Sequence, residues 1–158
     1  MSLRALTWLA TLGSLGLLAG AFAFQHLGGL APCQLCLTQR WPHAAAVLIG
    51  AVILMGPFYR FAPLGAFAAL TTAAYGLYHV GVEHKWWAGP STCSGGLDRS
   101  DLNAEEILEQ LLATPVVRCD EVVWDLLGVS MAGWNAILSL GLAGVWILIS
   151  SRAFKAVT

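Results

Sequence analysis

Cys33 and Cys36, separated by Gln34 and Leu35, form a Cys-x-x-Cys pair, and two further cysteines stand at Cys93 and Cys119. Thiols at the closer spacing shut almost no loop when they join, so their bond removes little unfolded-state entropy; its usual value is a lowered thiol pKa and ready exchange. Cys93 and Cys119 lie 26 positions apart. A bridge between them would contribute roughly 3 kcal/mol in the chain-entropy model, so this pair suits a structural staple as well as exchange. Covalent haem attachment needs a His directly after the second Cys, where Leu37 stands. A structural zinc site prefers a second close pair, which the chain lacks, and no metal is expected. Four cysteines allow three pairings, and the residues alone leave the choice open.

The elements that must position these sulfurs are read from the charges. The chain has 158 residues, 58% apolar and 11% charged, far below the roughly 25% charged residues of a soluble domain. Eight Lys and Arg against nine Asp and Glu leave no basic surface for nucleic acid. Residues 5–39, 41–59, 61–82 and 126–151 contain no Asp, Glu, Lys or Arg. A helix rising 1.5 Å per residue needs about 20 residues to cross the hydrocarbon of a bilayer, and each run has at least 19. The reading is an all-α membrane protein, a four-helix transmembrane bundle forming one domain over 1–158. Its spans are expected at about 5–25, 41–58, 62–82 and 126–150, with outer loops at about 26–40 and 83–125.

Arg4, Arg60, Arg152 and Lys155 flank the spans on one side, which places both termini in the cytoplasm. All nine acids fall between Glu83 and Asp125, in the longer outer loop. Ala21-Phe22-Ala23 resembles a signal-peptide cleavage site, but the apolar run is longer than such a segment and is read as a span. Gly13, Gly16, Gly20, Gly65, Ala69, Gly141, Ala143 and Gly144 suit close helix packing or simply the looser composition of membrane helices. All four cysteines then lie outside, where disulfide chemistry belongs. In the second outer loop, 104–112 carries apolar residues at helical spacing between Asn103 and Pro115, the pattern of a short amphipathic helix on the membrane surface.

Arg40 follows Cys36 by four residues. If the second helix has begun by then, the two side chains share a face, and both the guanidinium and the helix N-terminus favour a Cys36 thiolate. If instead Pro42 marks the first turn, Cys36 sits in the loop and only Arg40 acts. The plainer role for Arg40 is snorkelling to the interface. Trp86, Trp87, Trp124 and Trp134 suit an outer aromatic belt.

The segment Pro32-Cys33-Gln34-Leu35-Cys36-Leu37-Thr38-Gln39-Arg40, the order of the spans and the later cysteine pair resemble the DsbB family of bacterial inner-membrane disulfide-bond-formation proteins. Trp124-Asp125-Leu126-Leu127-Gly128-Val129-Ser130-Met131 with Trp134 is similar to the segment entering that family's fourth helix. The resemblance implies periplasmic cysteine loops and an electron path. A reduced DsbA-like thioredoxin-fold partner attacks Cys93, Cys119 exchanges with Cys33, and Cys36 faces a membrane quinone, either ubiquinone or menaquinone. It further implies that Arg40, His79 and Met131 line the quinone site, with His84 the other candidate for the histidine. No dinucleotide fingerprint competes with this. A non-catalytic four-helix scaffold with structural disulfides is the alternative. A vitamin K epoxide reductase-like enzyme is a third, although there the loop cysteines precede the Cys-x-x-Cys.

Overall fold

The computed structural model describes residues 1–90 and 117–156. Among them stand four long helices: α1 (Leu3–His26), α2 (Gln34–Met55), α3 (Ala62–Glu83) and α4 (Met131–Lys155). Cys93 and the expected surface helix at 104–112 lie outside the described residues.

Each helix begins for a local reason. Ser2 caps α1 by accepting from the Ala5 amide at 3.2 Å, and Ser130 caps α4 by accepting from Gly133 at 3.2 Å. At α2 the cap is Cys33, whose sulfur accepts from the Cys36 amide at 3.2 Å. Helix α2 therefore starts before Cys36, and Pro42 lies inside it. The arrangement with Pro42 in the first turn is overturned, and Cys36 comes under the positive end of the helix. A one-turn 3₁₀ helix, Tyr59–Phe61, leads into α3, which carries Pro63 in its first turn, where no amide donor is needed.

Before α4 the chain makes a feature the charge pattern does not announce. Strands β1 (Asp125–Leu126) and β2 (Val129–Ser130) pair antiparallel around Leu127 and Gly128, with φ of 55° and 75°. Two consecutive positive φ values are those of a tight hairpin turn whose twist matches its strands. The fourth helix accordingly opens at Met131 and not near 126.

Packing is inside-out relative to a soluble bundle. Outward faces carry large apolar side chains such as Leu12, Leu48, Phe67, Leu140 and Ile147, while Thr7, Thr11, Ser14, Gln39, His43, Thr72, His79 and Ser139 are buried between helices. Hydrocarbon outside removes any drive to bury leucine, whereas polar groups must find partners within the protein. Helices α1 and α4 are each long and apolar enough to cross a membrane. Helices α3 and α4 form the broadest contact. Gly65 lets them meet: a Cβ there would sit 2.5 Å from the buried Trp146 ring. Gly50 likewise admits the Thr11 side chain of α1. Trp146, Ile53 and Ile149 centre one apolar cluster, and Cys33, Leu35, Val82 and Cys119 form a second, with Cys36, Tyr78 and Val117 packed against it.

Candidate functional site: a thiol pair beside an apolar cavity

Cys33 and Cys36 are free thiols with their sulfurs 2.8 Å apart. Cys33 is buried and Cys36 half-buried. The hydrogen bond with Cys36, burial, and the nearness of the Cys36 charge together push the Cys33 thiol well above its ordinary value. Cys119 is completely buried in the same cluster and is disulfide-bonded. Its neighbour Arg118 pairs with Asp120 at 2.7 Å and Glu121 at 3.5 Å; the contact with Arg118 holds the half-buried Asp120 carboxyl below the usual range.

The Sγ atoms of Cys33 and Cys36 and a ring nitrogen of His79 all lie within 4.8 Å of one another, a grouping that could hold a metal. Zinc bound to two thiolates at about 2.3 Å in tetrahedral geometry would part them by about 3.8 Å. The observed 2.8 Å is closer than that and suits two sulfurs about to join.

Beside the pair lies a cavity of about 400 Å³, the size range of a site for a small organic molecule. Gly16, Leu17 and Gly20 of α1 and Leu138 of α4 wall it. Polar side chains line it too: Arg40, Gln39 and His43 of α2, His79 and Glu83 of α3, and Asn135 of α4. Cys33, Cys36 and Met131 also border it, as do Trp124 and Trp134. His84 is stacked on Trp86 with ring centroids 5.2 Å apart and does not contribute. Arg40 reaches back to α1, donating from Nη1 to Gln25 Oε1 at 2.6 Å and from Nη2 to the Ala21 carbonyl at 3.4 Å, with its guanidinium 4.7 Å from the Phe22 ring centroid. Its Nε is buried and has no partner.

One backbone carbonyl sets the hydrogen-bond polarity of these groups. The Leu35 carbonyl can only accept, so the Gln39 side-chain atom 3.2 Å away is its amide nitrogen. The same nitrogen donates to His79 Nδ1 at 3.1 Å, which leaves the His79 proton on Nε2, 3.6 Å from Cys33 Sγ and 4.0 Å from Glu83. The Cys119 backbone also hydrogen-bonds the His79 ring. On its other side Gln39 Oε1 accepts from Asn135 Nδ2 at 2.6 Å, so Asn135 Oδ1 must be the acceptor for His43 Nε2 at 2.8 Å. Thr72 Oγ1 donates to the Gln39 carbonyl at 3.3 Å and lies 3.2 Å from both Asn135 Nδ2 and His43 Nε2. Ser130, held at the hairpin, donates to Glu83 at 2.5 Å.

Gln39, His43, Glu83 and Asn135 were not singled out from the sequence. The available signal was a polar side chain within an otherwise apolar run. Gln39→Leu removes the hub of the network, strands His79 Nδ1 and leaves Asn135 Nδ2 with Thr72 Oγ1 alone. A loss of about 2 kcal/mol is expected from the unpaired groups, read as a lower unfolding midpoint in detergent. The His79 ring should then exchange between tautomers, visible in its ¹⁵N shifts; an unchanged single tautomer would contradict the role of Gln39.

Comparisons with known proteins give the family of the chain. The family model for disulfide bond formation protein DsbB matches residues 3–149. Disulfide bond formation protein B of Hahella chejuensis is 31% identical over 154 residues, covering 90% of each chain. Its counterpart in Dechloromonas aromatica is 34% identical over 163 residues, covering 94% of each. Disulfide bond formation protein B 2 of Pseudomonas aeruginosa PAO1 is 32% identical over 148 residues, covering 90% of this chain and 86% of the relative. No solved structure matches. With nearly its whole length matched by the family model and by relatives about a third identical, the chain belongs to the DsbB family of disulfide bond formation proteins.

Proposed function

We propose that this chain is a membrane thiol:quinone oxidoreductase, which reoxidises a periplasmic DsbA-like thioredoxin-fold protein and passes the electrons to a membrane quinone. The observation that carries this reading is the pair of sulfurs 2.8 Å apart bordering an apolar-walled cavity that also takes in Arg40, whose buried Nε lacks a partner. A quinone ring supplies a two-electron, lipid-soluble acceptor. The residues present suit one: apolar walls for the ring and tail, a cationic donor for a carbonyl oxygen, and a thiol pair as electron source.

Four spans within a single domain over 1–158, both termini in the cytoplasm and the cysteine loops in the periplasm of a bacterial inner membrane complete the reading. The uncharged runs and the side of the basic residues support it.

The exchange balances as follows. A partner thiolate attacks Cys93, forming a mixed disulfide and releasing Cys119. Cys119 attacks Cys33, breaking the Cys33–Cys36 bond and releasing Cys36 as a thiolate under the helix N-terminus. The second partner thiol resolves the mixed disulfide, and return of Cys119 to Cys93 frees Cys33 to rejoin Cys36. In total the partner's two thiols lose two electrons and two protons, and one quinone becomes one hydroquinone. Arg40 steadies negative charge on Cys36 and on a ring oxygen, and His79 holds its Nε2 proton toward Cys33. Met131, the first residue of α4, forms part of the wall. Location of Cys119 in one cluster with Cys33 supports the transfer between loops.

Purified chain mixed with reduced thioredoxin-fold partner and a short-chain ubiquinone should convert one quinone for each partner disulfide formed. If disulfides form with no quinone consumed, or neither occurs, the oxidoreductase reading fails.

A further inference from the structure

The reading above leaves His43 without a task. It is buried, with 4% of its surface exposed, and borders the cavity seven residues beyond Cys36 on α2. Histidine in an apolar run is costly unless each ring nitrogen is engaged. Here only one is. Nε2 donates to Asn135 Oδ1, and Nδ1 is buried with no partner.

The polarity set by the Leu35 carbonyl decides what Nδ1 can accept. Because Asn135 Oδ1 is an acceptor, the His43 proton sits on Nε2, and Nδ1 presents a lone pair. The same α2 face carries a second unpartnered buried atom, Arg40 Nε, which is a donor. Arg40 and His43 are three residues apart, a rise of about 4.5 Å along the helix, which a six-membered ring with two para oxygens can bridge. The cavity is thus bordered by one residue with a spare donor and another with a spare acceptor.

A quinone has two oxygens that only accept, so it can satisfy Arg40 but would set a second acceptor against His43. A hydroquinone has two hydroxyls, each able to donate or accept, and can satisfy both. We propose that His43 Nδ1 accepts a hydrogen bond from a hydroxyl of the reduced ring, so that the cavity binds hydroquinone in preference to quinone. This inference rests on the thiol:quinone reading. Its consequence is that binding energy accrues as the ring gains its protons, which draws electrons off the thiol pair.

Two substitutions separate the nitrogens of His43. Asparagine places a polar atom near the position of Nδ1, and glutamine places one near Nε2. His43→Gln therefore keeps a group for Asn135 while removing the acceptor, and His43→Asn does the reverse. The full chain is reduced and titrated anaerobically with a short-chain ubiquinol, then oxidised and titrated with the matching ubiquinone, so that neither ligand reacts. Binding is read from quenching of tryptophan fluorescence, since Trp124 and Trp134 border the cavity.

The expected result is that His43→Gln weakens ubiquinol binding about 10-fold to 100-fold, the range for a buried donor left unpaired, and changes ubiquinone binding less than about 3-fold. His43→Asn should hold ubiquinol within about 3-fold of the unaltered chain if its acceptor substitutes for Nδ1. Equal weakening of both ligands in both variants, or no change in either, overturns the inference while leaving the thiol:quinone reading intact. An unaltered chain that neither binds nor reduces ubiquinone overturns both.

Discussion

Cys36→Ser is expected to abolish quinone reduction, lowering turnover on the order of a thousand-fold or more, while a mixed disulfide with the thioredoxin-fold partner still forms. A serine hydroxyl can neither give up electrons to a ring at neutral pH nor close a bond with Cys33. The substitution is nearly isosteric, and the α2 cap uses the Cys36 backbone amide rather than its sulfur, so the helix start at Cys33 survives. The two outcomes read different steps. Stopped quinone reduction with an intact mixed disulfide locates the block after exchange between the loops. Retention of more than about a tenth of the turnover would remove Cys36 from the electron path, because loss of a group that acts as a unit with its partner is not partial.

Arg40→Ala is expected to raise the KM for quinone by about 10-fold to 100-fold, the factor of a charge-assisted hydrogen bond, with exchange between partner and chain slowed less than about 3-fold. The guanidinium is already fixed, by Gln25 and the Ala21 carbonyl on α1, so little ordering remains when a ligand meets its free Nε. Preorganised donors of this kind act on charge as it develops and need no rearrangement. Truncation also frees the Gln25 side chain and removes packing on Phe22, which makes the unfolding midpoint a necessary companion measurement. Arg40→Lys keeps the charge but not the fork, and should recover only part of the affinity. Should partner oxidation fall further than quinone affinity, the assigned role of Arg40 is wrong.

Much was legible without coordinates because it depends on neighbours along the chain. Runs free of charge marked helices, since a buried charge in hydrocarbon is expensive wherever the rest of the chain lies. The local spacing of Cys33, Cys36 and Arg40 was enough to suggest a reactive thiol, and helix α2 beginning at Gln34 brings all three to the border of one cavity. The hairpin at 125–130 was not legible: strands of two residues are too short to show a period of two, and Leu127 does not advertise the positive φ it adopts.

Sequence alone thus determined the number and order of the apolar runs, the Cys-x-x-Cys spacing and the resemblance to a family, all set by local composition and spacing. Only the tertiary structure decided that Gln39 meets His79 from 40 residues away and Asn135 from 96, and hence which nitrogen of His79 and of His43 carries the proton. The reason is physical. A polar side chain in an apolar helix announces that it needs a partner, but the choice of partner depends on how neighbouring helices are rotated, and that is settled by small contacts such as Gly65 against Trp146 which no single segment contains.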